Sequence, residues 1–294
     1  MRREFQEVIV AAYAAMCLIW GTTWYGIRVS LEYVPPIAGA GLRFLLAGLA
    51  LYAVAAWRGK LTPPARLPWK LVLVFAAFLF GLNYILTYTS ETRLDSGLVS
   101  VLFGTMPFFV FALGALAGEQ TTPLIWAGAV VAFAGVAVIS LGGEVRGSPL
   151  YALGVIAAAA SSAFANVYAK RHSGHDPLVT LPPAMLIAGV TMTVIGAFAQ
   201  PVVWTRALSL PSLEAILYLA LFGSGIAFFL NIWVIKHIPV WIVGLSSLII
   251  PIIAVFVGAF AGGEHVTLRE ICGTLLVIGG VGIALLQWFR NAPA

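Results

Sequence analysis

Asn83, Thr87 and Ser90 fall on one stripe of a 3.6-residue period, with Tyr84 and Tyr88 beside it, inside an otherwise apolar run. Trp20 and Trp24 stand one helical turn apart with Thr22 and Thr23 between them, and Ser162, Asn166 and Asn231 are further polar side chains in apolar stretches. Amides, hydroxyls and aromatic faces without a nucleophile–base pair cannot break bonds. They can orient a small amphipathic molecule by hydrogen bonds against apolar walls, or they can tie helices to one another. Arg43 is the one charge well inside an apolar segment; it either snorkels or pairs with Glu32, or meets a carboxylate on a ligand at the outer mouth.

No catalytic set, metal site or cofactor is expected. The four histidines, His172, His175, His237 and His265, lie at loop positions, and Cys17 and Cys272 each sit in an apolar run where both are expected to be buried. There is no phosphate-binding GxxxxGK[ST] loop, so no ATPase activity is expected within the chain and no ATPase partner is implied.

The elements that must position these residues are read from composition. Of 294 residues 61% are hydrophobic and 9% charged, too few charges to cover a globule in water, which excludes a soluble enzyme or nucleic-acid binder and makes the lipid bilayer the medium. A bilayer-crossing helix needs about 20 apolar residues. Charges and Pro/Gly punctuation give ten such spans, near 8–30, 37–57, 69–90, 96–117, 123–141, 149–170, 179–200, 212–235, 240–261 and 266–288. The first is too long and too poor in small residues at its end to read as a cleaved leader. Trp20 lies about 12 residues into its span, near mid-membrane.

Lysine and arginine divide unevenly between alternate sides. Arg2, Arg3, Arg58, Lys60, Arg66, Lys70, Lys170, Arg171, Lys236 and Arg290 lie on one side, and Arg93, Arg146, Arg206 and Arg269 on the other. The richer side is expected to be cytoplasmic, with both termini on it.

The chain also repeats itself. "MPFFVFALGALAGEQ" at 106–120 reads against "IPIIAVFVGAFAGGEH" at 250–265, matching Pro107 to Pro251, Gly114 to Gly258 and Glu119 to Glu264. Gly128 and Gly135 match Gly273 and Gly280, and Tyr25 and Arg28 match Tyr168 and Arg171. Five spans per half, 1–143 and 144–294, is an odd number, so the second half is inverted relative to the first. Opposed halves suit alternating access about a midplane site. Pro107 and Pro251, each about halfway along its span, are then either hinges or static kinks, and the glycine pairs are close-packing faces.

Ten helices in two halves, "IWGTTW" in the first span and the "P…AGE" ending of spans four and nine resemble the drug/metabolite transporter superfamily, and within it the ten-helix EamA-type exporters. The resemblance implies an all-α integral membrane protein of two inverted five-helix repeats in a bacterial-type inner membrane. It further implies a small-molecule substrate, an amphipathic metabolite such as an amino acid, aromatic ones included. A multidrug or organic-cation exporter is the alternative within this class, and a passive channel the alternative outside it. No Asp or Glu lies deep in a span, Glu91, Asp95, Glu119 and Glu264 all being at ends, so transport is expected to run without an obligatory coupling ion.

Overall fold

Prolines open several of the spans. Pro36, Pro149 and Pro211 occupy the first turn of their helices, where the missing N–H has no intrahelical partner to lose and the fixed φ suits the helix. The computed structural model describes residues 2–94, 96–140, 148–199, 203–262 and 267–291. The expected division between 143 and 144, and Asp95, Arg146, Glu264 and His265, lie outside the described residues.

The described residues form ten apolar helical segments, nine of them long enough to span a bilayer and α5 shorter: α1 (Arg2–Tyr33), α2 (Pro36–Trp57), α3 (Trp69–Glu91), α4 (Ser96–Phe103 then Met106–Leu116), α5 (Pro123–Ser140), α6 (Pro149–Arg171), α7 (Pro177–Ala199), α8 (Leu210–His237), α9 (Val240–Gly244 then Ser246–Gly262) and α10 (Leu268–Asn291). At 1.5 Å per residue, a helix the length of α2 spans about 33 Å, the thickness of a bilayer core.

Two scaffolding pairs hold the bundle together, α2 against α7 and α5 against α10. Each uses glycines seven residues apart on both partners, so that backbones meet where side chains would keep them apart. A β-carbon on Gly128 would lie 2.5 Å from Gly280 O, and one on Gly135 2.6 Å from Gly273 O. Likewise Gly41 faces Thr193 N at 2.4 Å, Gly48 faces Leu186 N at 3.1 Å, Gly189 faces Leu45 N at 2.5 Å and Gly196 faces Ala38 N at 2.4 Å. In each pair the residue numbers rise on one helix as they fall on the other, so two-fold-related helices run antiparallel. That is the inversion expected from an odd number of spans per half.

α3 and α8 carry the same local departure. Their hydrogen bonding widens to the i→i+5 pattern over Phe75–Leu82 and over Leu219–Ile226. The starts, 75 and 219, and the ends, 82 and 226, are each 144 residues apart, the spacing of the sequence repeat. Such bulges inside α-helices are rare and concentrate at functional sites. Of the two cysteines, Cys17 is buried but Cys272 is exposed on α10, contrary to the expectation that both are interior.

Candidate functional site

Three two-fold-related helix pairs, α1 with α6, α3 with α8 and α4 with α9, enclose a cavity of about 810 Å³ of non-atom space, counting its open mouth. α1 contributes Trp20, Thr23, Trp24 and Ile27; α3 contributes Leu79, Asn83, Tyr84 and Thr87; α4 contributes Ser100, Phe103 and Met106. From the second half come Ser162 and Asn166 on α6, Phe228 and Asn231 on α8, and Ser246, Ser247, Ile250 and Pro251 on α9. The glycine-packed helices α2, α5, α7 and α10 give nothing to the lining. They are scaffold.

Among the described residues the lining holds no acid, base or histidine. Its polarity is neutral and largely pre-satisfied. Asn231 Nδ2 donates to Asn166 Oδ1 at 2.9 Å, Asn83 Nδ2 donates to Leu79 O at 3.2 Å, and Trp20 Nε1 donates to Gly223 O at 3.2 Å. Asn231 Oδ1 is buried without a donor, an acceptor held beside the cavity with nothing to accept. The aromatic wall is built edge to face: Phe228 meets Trp20 at a ring-centroid distance of 5.3 Å and Tyr84 at 6.2 Å.

Seven of the eight residues expected to bind substrate therefore line one cavity: Trp20, Trp24, Asn83, Tyr84, Ser162, Asn166 and Asn231. Tyr88 does not. It is 1% exposed and its hydroxyl accepts from Arg43 Nη1 at 3.2 Å. Arg43 itself is neither at an outer mouth nor paired with Glu32, which is exposed. It is 1% exposed, its Nε donates to Ser224 Oγ at 2.6 Å, and its guanidinium carbon stands 5.0 Å from the Tyr84 ring centroid. Ser224 comes from the widened segment of α8, 181 residues away in sequence, so no local pattern announced it. The serines of α9 were also missed, because Ser246 and Ser247 lie within the most apolar of the described spans and carry no periodic signal.

The prolines are placed unequally. Pro251 lies inside the second segment of α9 and lines the cavity, whereas Pro107 sits in the first turn of the second segment of α4, after a break at Gly104–Thr105, and lies off the lining. The expectation that both interrupt a continuous helix is corrected for Pro107, since a first-turn proline removes no intrahelical bond. Ser161 and Ser90 act as ties between helices, donating to Phe78 O at 2.7 Å and Tyr151 O at 3.0 Å.

On the face that carries the start of α1 and the end of α4 the bundle is closed. Val110 on α4 packs against Gly244 on α9, with a β-carbon at Gly244 only 3.3 Å from Val110 Cβ. Tyr13 donates to Ile242 O at 2.9 Å, Glu119 Oε1 accepts from the Val240 N–H at 3.2 Å, and Lys170 Nζ donates to Ile235 O and Ile238 O at 2.9 Å each. Farther along the same two helices, Ser100 and Phe103 are parted from Ile250 and Pro251 by the cavity. Glu91 ends α3, yet its Oε2 is buried and accepts no hydrogen bond, so a position at a span end did not mean exposure.

A cavity between antiparallel repeats, closed toward one face, defines a multi-span membrane transporter. The chain belongs to the EamA-like transporter family, whose model matches it twice, over residues 8–141 and 149–286, one match per repeat. It is 30% identical over 284 residues, 95% of this chain and 90% of the relative, to the uncharacterized inner membrane transporter YedA of Escherichia coli (strain K12). It is 27% identical to a protein of Salmonella typhimurium described as a probable amino-acid metabolite efflux pump, covering 90% of this chain and 91% of that one. A solved crystal structure superposes with a TM-score of 0.84 over 98% of this chain and 99% of the other at 21% identity, which shows the shared fold.

Proposed function

We propose that the protein exports small amphipathic metabolites, amino acids including aromatic ones, across the cytoplasmic membrane by alternating access, its two repeats dividing near residues 143 and 144. The observation that carries this reading is the cavity itself: uncharged, aromatic-walled, provided with amides and hydroxyls, and lined only by two-fold-related helix pairs. The Escherichia coli and Salmonella relatives described above support an inner-membrane location and an amino-acid metabolite cargo respectively. Lysine and arginine counts put both termini in the cytoplasm, so the closed face with Glu119 and Lys170 is the cytoplasmic one and the cavity belongs to an outward-facing state.

In this reading Trp20, Tyr84 and Phe228 hold the apolar part of the cargo. Asn83, Ser162, Asn166 and Asn231 orient its polar groups, and Trp24 closes the wall above Trp20. The cargo makes no covalent bond with the chain. Reconstituted protein should carry out saturable uptake of radiolabelled phenylalanine or tryptophan in proteoliposomes. Uptake of phosphorylated sugars but not amino acids overturns the proposal. Preferential uptake of organic cations favours the multidrug reading that the aromatic wall also suits, and non-saturating conductance in planar bilayers favours a channel.

A further inference from the structure

Arg43 is a buried cation whose partners do not balance it. Ser224 and Tyr88 supply neutral hydroxyls to Nε and Nη1, while Nη2 is buried and bonded to nothing. Glu91 stands within electrostatic reach, but its own buried Oε2 is likewise unbonded and no ion pair joins the two. A buried charge left in this state is expensive unless a counter-charge arrives in part of the working cycle.

The fold does not require this charge. With α2 and α7 in register at Gly41/Gly189 and Gly48/Gly196, and α3 and α8 in register through their widened segments, the two-fold counterparts of Arg43, Tyr84, Tyr88 and Ser224 are Thr191, Phe228, Ile232 and Phe80. The second repeat builds the same place with no ionisable group. The charge has been added to one side of a symmetric frame.

The unbonded edge of the guanidinium lies beside Gly223, across from Thr23. Gly223 has no side chain, and a β-carbon there would lie 3.0 Å from Arg43 Nη2 and 2.7 Å from Thr23 Cγ2. Thr23 and Tyr84 are cavity-lining residues, and the Tyr84 ring covers the guanidinium at 5.0 Å. For a carboxylate in the cavity to reach Nη2, Thr23 or Tyr84 would have to move aside.

We propose that Arg43 is the counter-charge for a monocarboxylate on the cargo, an oxyanion subsite behind the aromatic wall that makes the otherwise neutral cavity select organic acids over amides and amines. The inference rests on the cavity being the cargo site, and it deepens that reading by naming the chemical group that is recognised. A carboxylate oxygen accepts from Nη2, and the hydroxyls of Ser224 and Tyr88 keep the fork oriented while Tyr84 stacks on its face.

The test is binding of three probes of similar shape, phenylacetate, phenylacetamide and phenethylamine, to the purified full-length protein, followed by isothermal titration calorimetry. The parent protein is expected to bind phenylacetate about ten-fold or more tightly than either of the others, and Arg43→Gln to erase that preference while keeping its thermal transition. Equal affinity for the three, a preference for the amine, or a folded Arg43→Gln that still prefers the acid overturns the proposal. Should Arg43→Gln fail to fold, Gly223→Ala keeps the charge but presses a methyl between Thr23 and Nη2. It is expected to lose the same preference, and its retaining it overturns the proposal equally. Arg43-dependent phenylacetate binding without phenylalanine flux sinks the amino-acid reading and leaves this one standing; phenylalanine flux with no acid preference does the reverse.

Discussion

Asn231 and Asn166, 65 positions apart, form one amide pair at the cavity wall, Asn231 donating to Asn166 while its own Oδ1 waits without a donor. Replacing it by leucine removes one hydrogen bond and leaves Asn166 Oδ1 unpaired, a net stability loss of about 1–2 kcal/mol. The larger expected effect is on transport: Asn231→Leu should stay folded in detergent, with its flux of aromatic amino acids falling well below that of the parent in proteoliposomes. Unchanged flux would mark the pair as a structural tie. Outside the spans, Asp176 shows the electrostatics of the loops. Partial burial works to raise its carboxyl, but the hydrogen bonds from Lys60 and from the Leu178 N–H outweigh this and hold it below the ordinary carboxylate range. Because the folded pKa is depressed, the stabilisation is present above the unfolded value of about 3.9 and is lost as pH falls through the folded value. The pair is partly exposed, so solvent screening limits it to under about 1 kcal/mol. Asp176→Asn should accordingly lower the thermal midpoint slightly at neutral pH, and the difference should vanish in acid below the carboxylate range.

At the scale of helices, the glycine faces and the prolines make separate predictions. A methyl on Gly128 or Gly135 would press against the backbone of α10 at 2.5 or 2.6 Å, whereas a methyl on Gly279 of the same helix pair meets nothing within 4 Å. Gly135→Ala is expected to force the helices apart at a cost of about 1–3 kcal/mol, while Gly279→Ala should be neutral or stabilising by up to about 1 kcal/mol from helix propensity. Thermal denaturation of the two variants in the same detergent checks the contrast. The prolines bear on alternating access, which needs helices that bend about the cavity. Pro251 interrupts a helix that borders the cavity, so Pro251→Ala restores an intrahelical donor, worth up to about 3 kcal/mol of local straightening. Pro107 opens its segment and has less to regain. Pro251→Ala should therefore shift cysteine labelling between the two faces of the membrane more strongly than Pro107→Ala, in the opposite direction. Labelling and transport like the parent in both variants would make the prolines static kinks.

For the molecule as a whole, the cavity's lining carries no carboxylate, histidine, lysine or arginine among the described residues, and neither Arg43 nor Glu91 belongs to it. Substrate flux in proteoliposomes is therefore expected to persist with no proton or sodium gradient and no membrane potential. A strict need for an imposed gradient would point to Glu91 as a coupling group. Much of this molecule was legible in the chain. Hydropathy set the spans, because a bilayer accepts only segments that satisfy their own backbone hydrogen bonds. The odd number of spans per half set the inversion, and seven cavity residues were found because amides and indoles stand out against a lipid-compatible background. Tertiary structure decided the rest. That Tyr88 serves Arg43 rather than the cavity, that Ser224 reaches the guanidinium from the far half, and that Ser246, Ser247 and Phe228 complete the lining all depend on contacts between distant helices. The widened turns of α3 and α8 likewise left no mark in a 3.6-residue pattern. A sequence displays the periodicity of one helix at a time, whereas the burial of a charge depends on which neighbours surround it, and these are fixed only when the bundle closes.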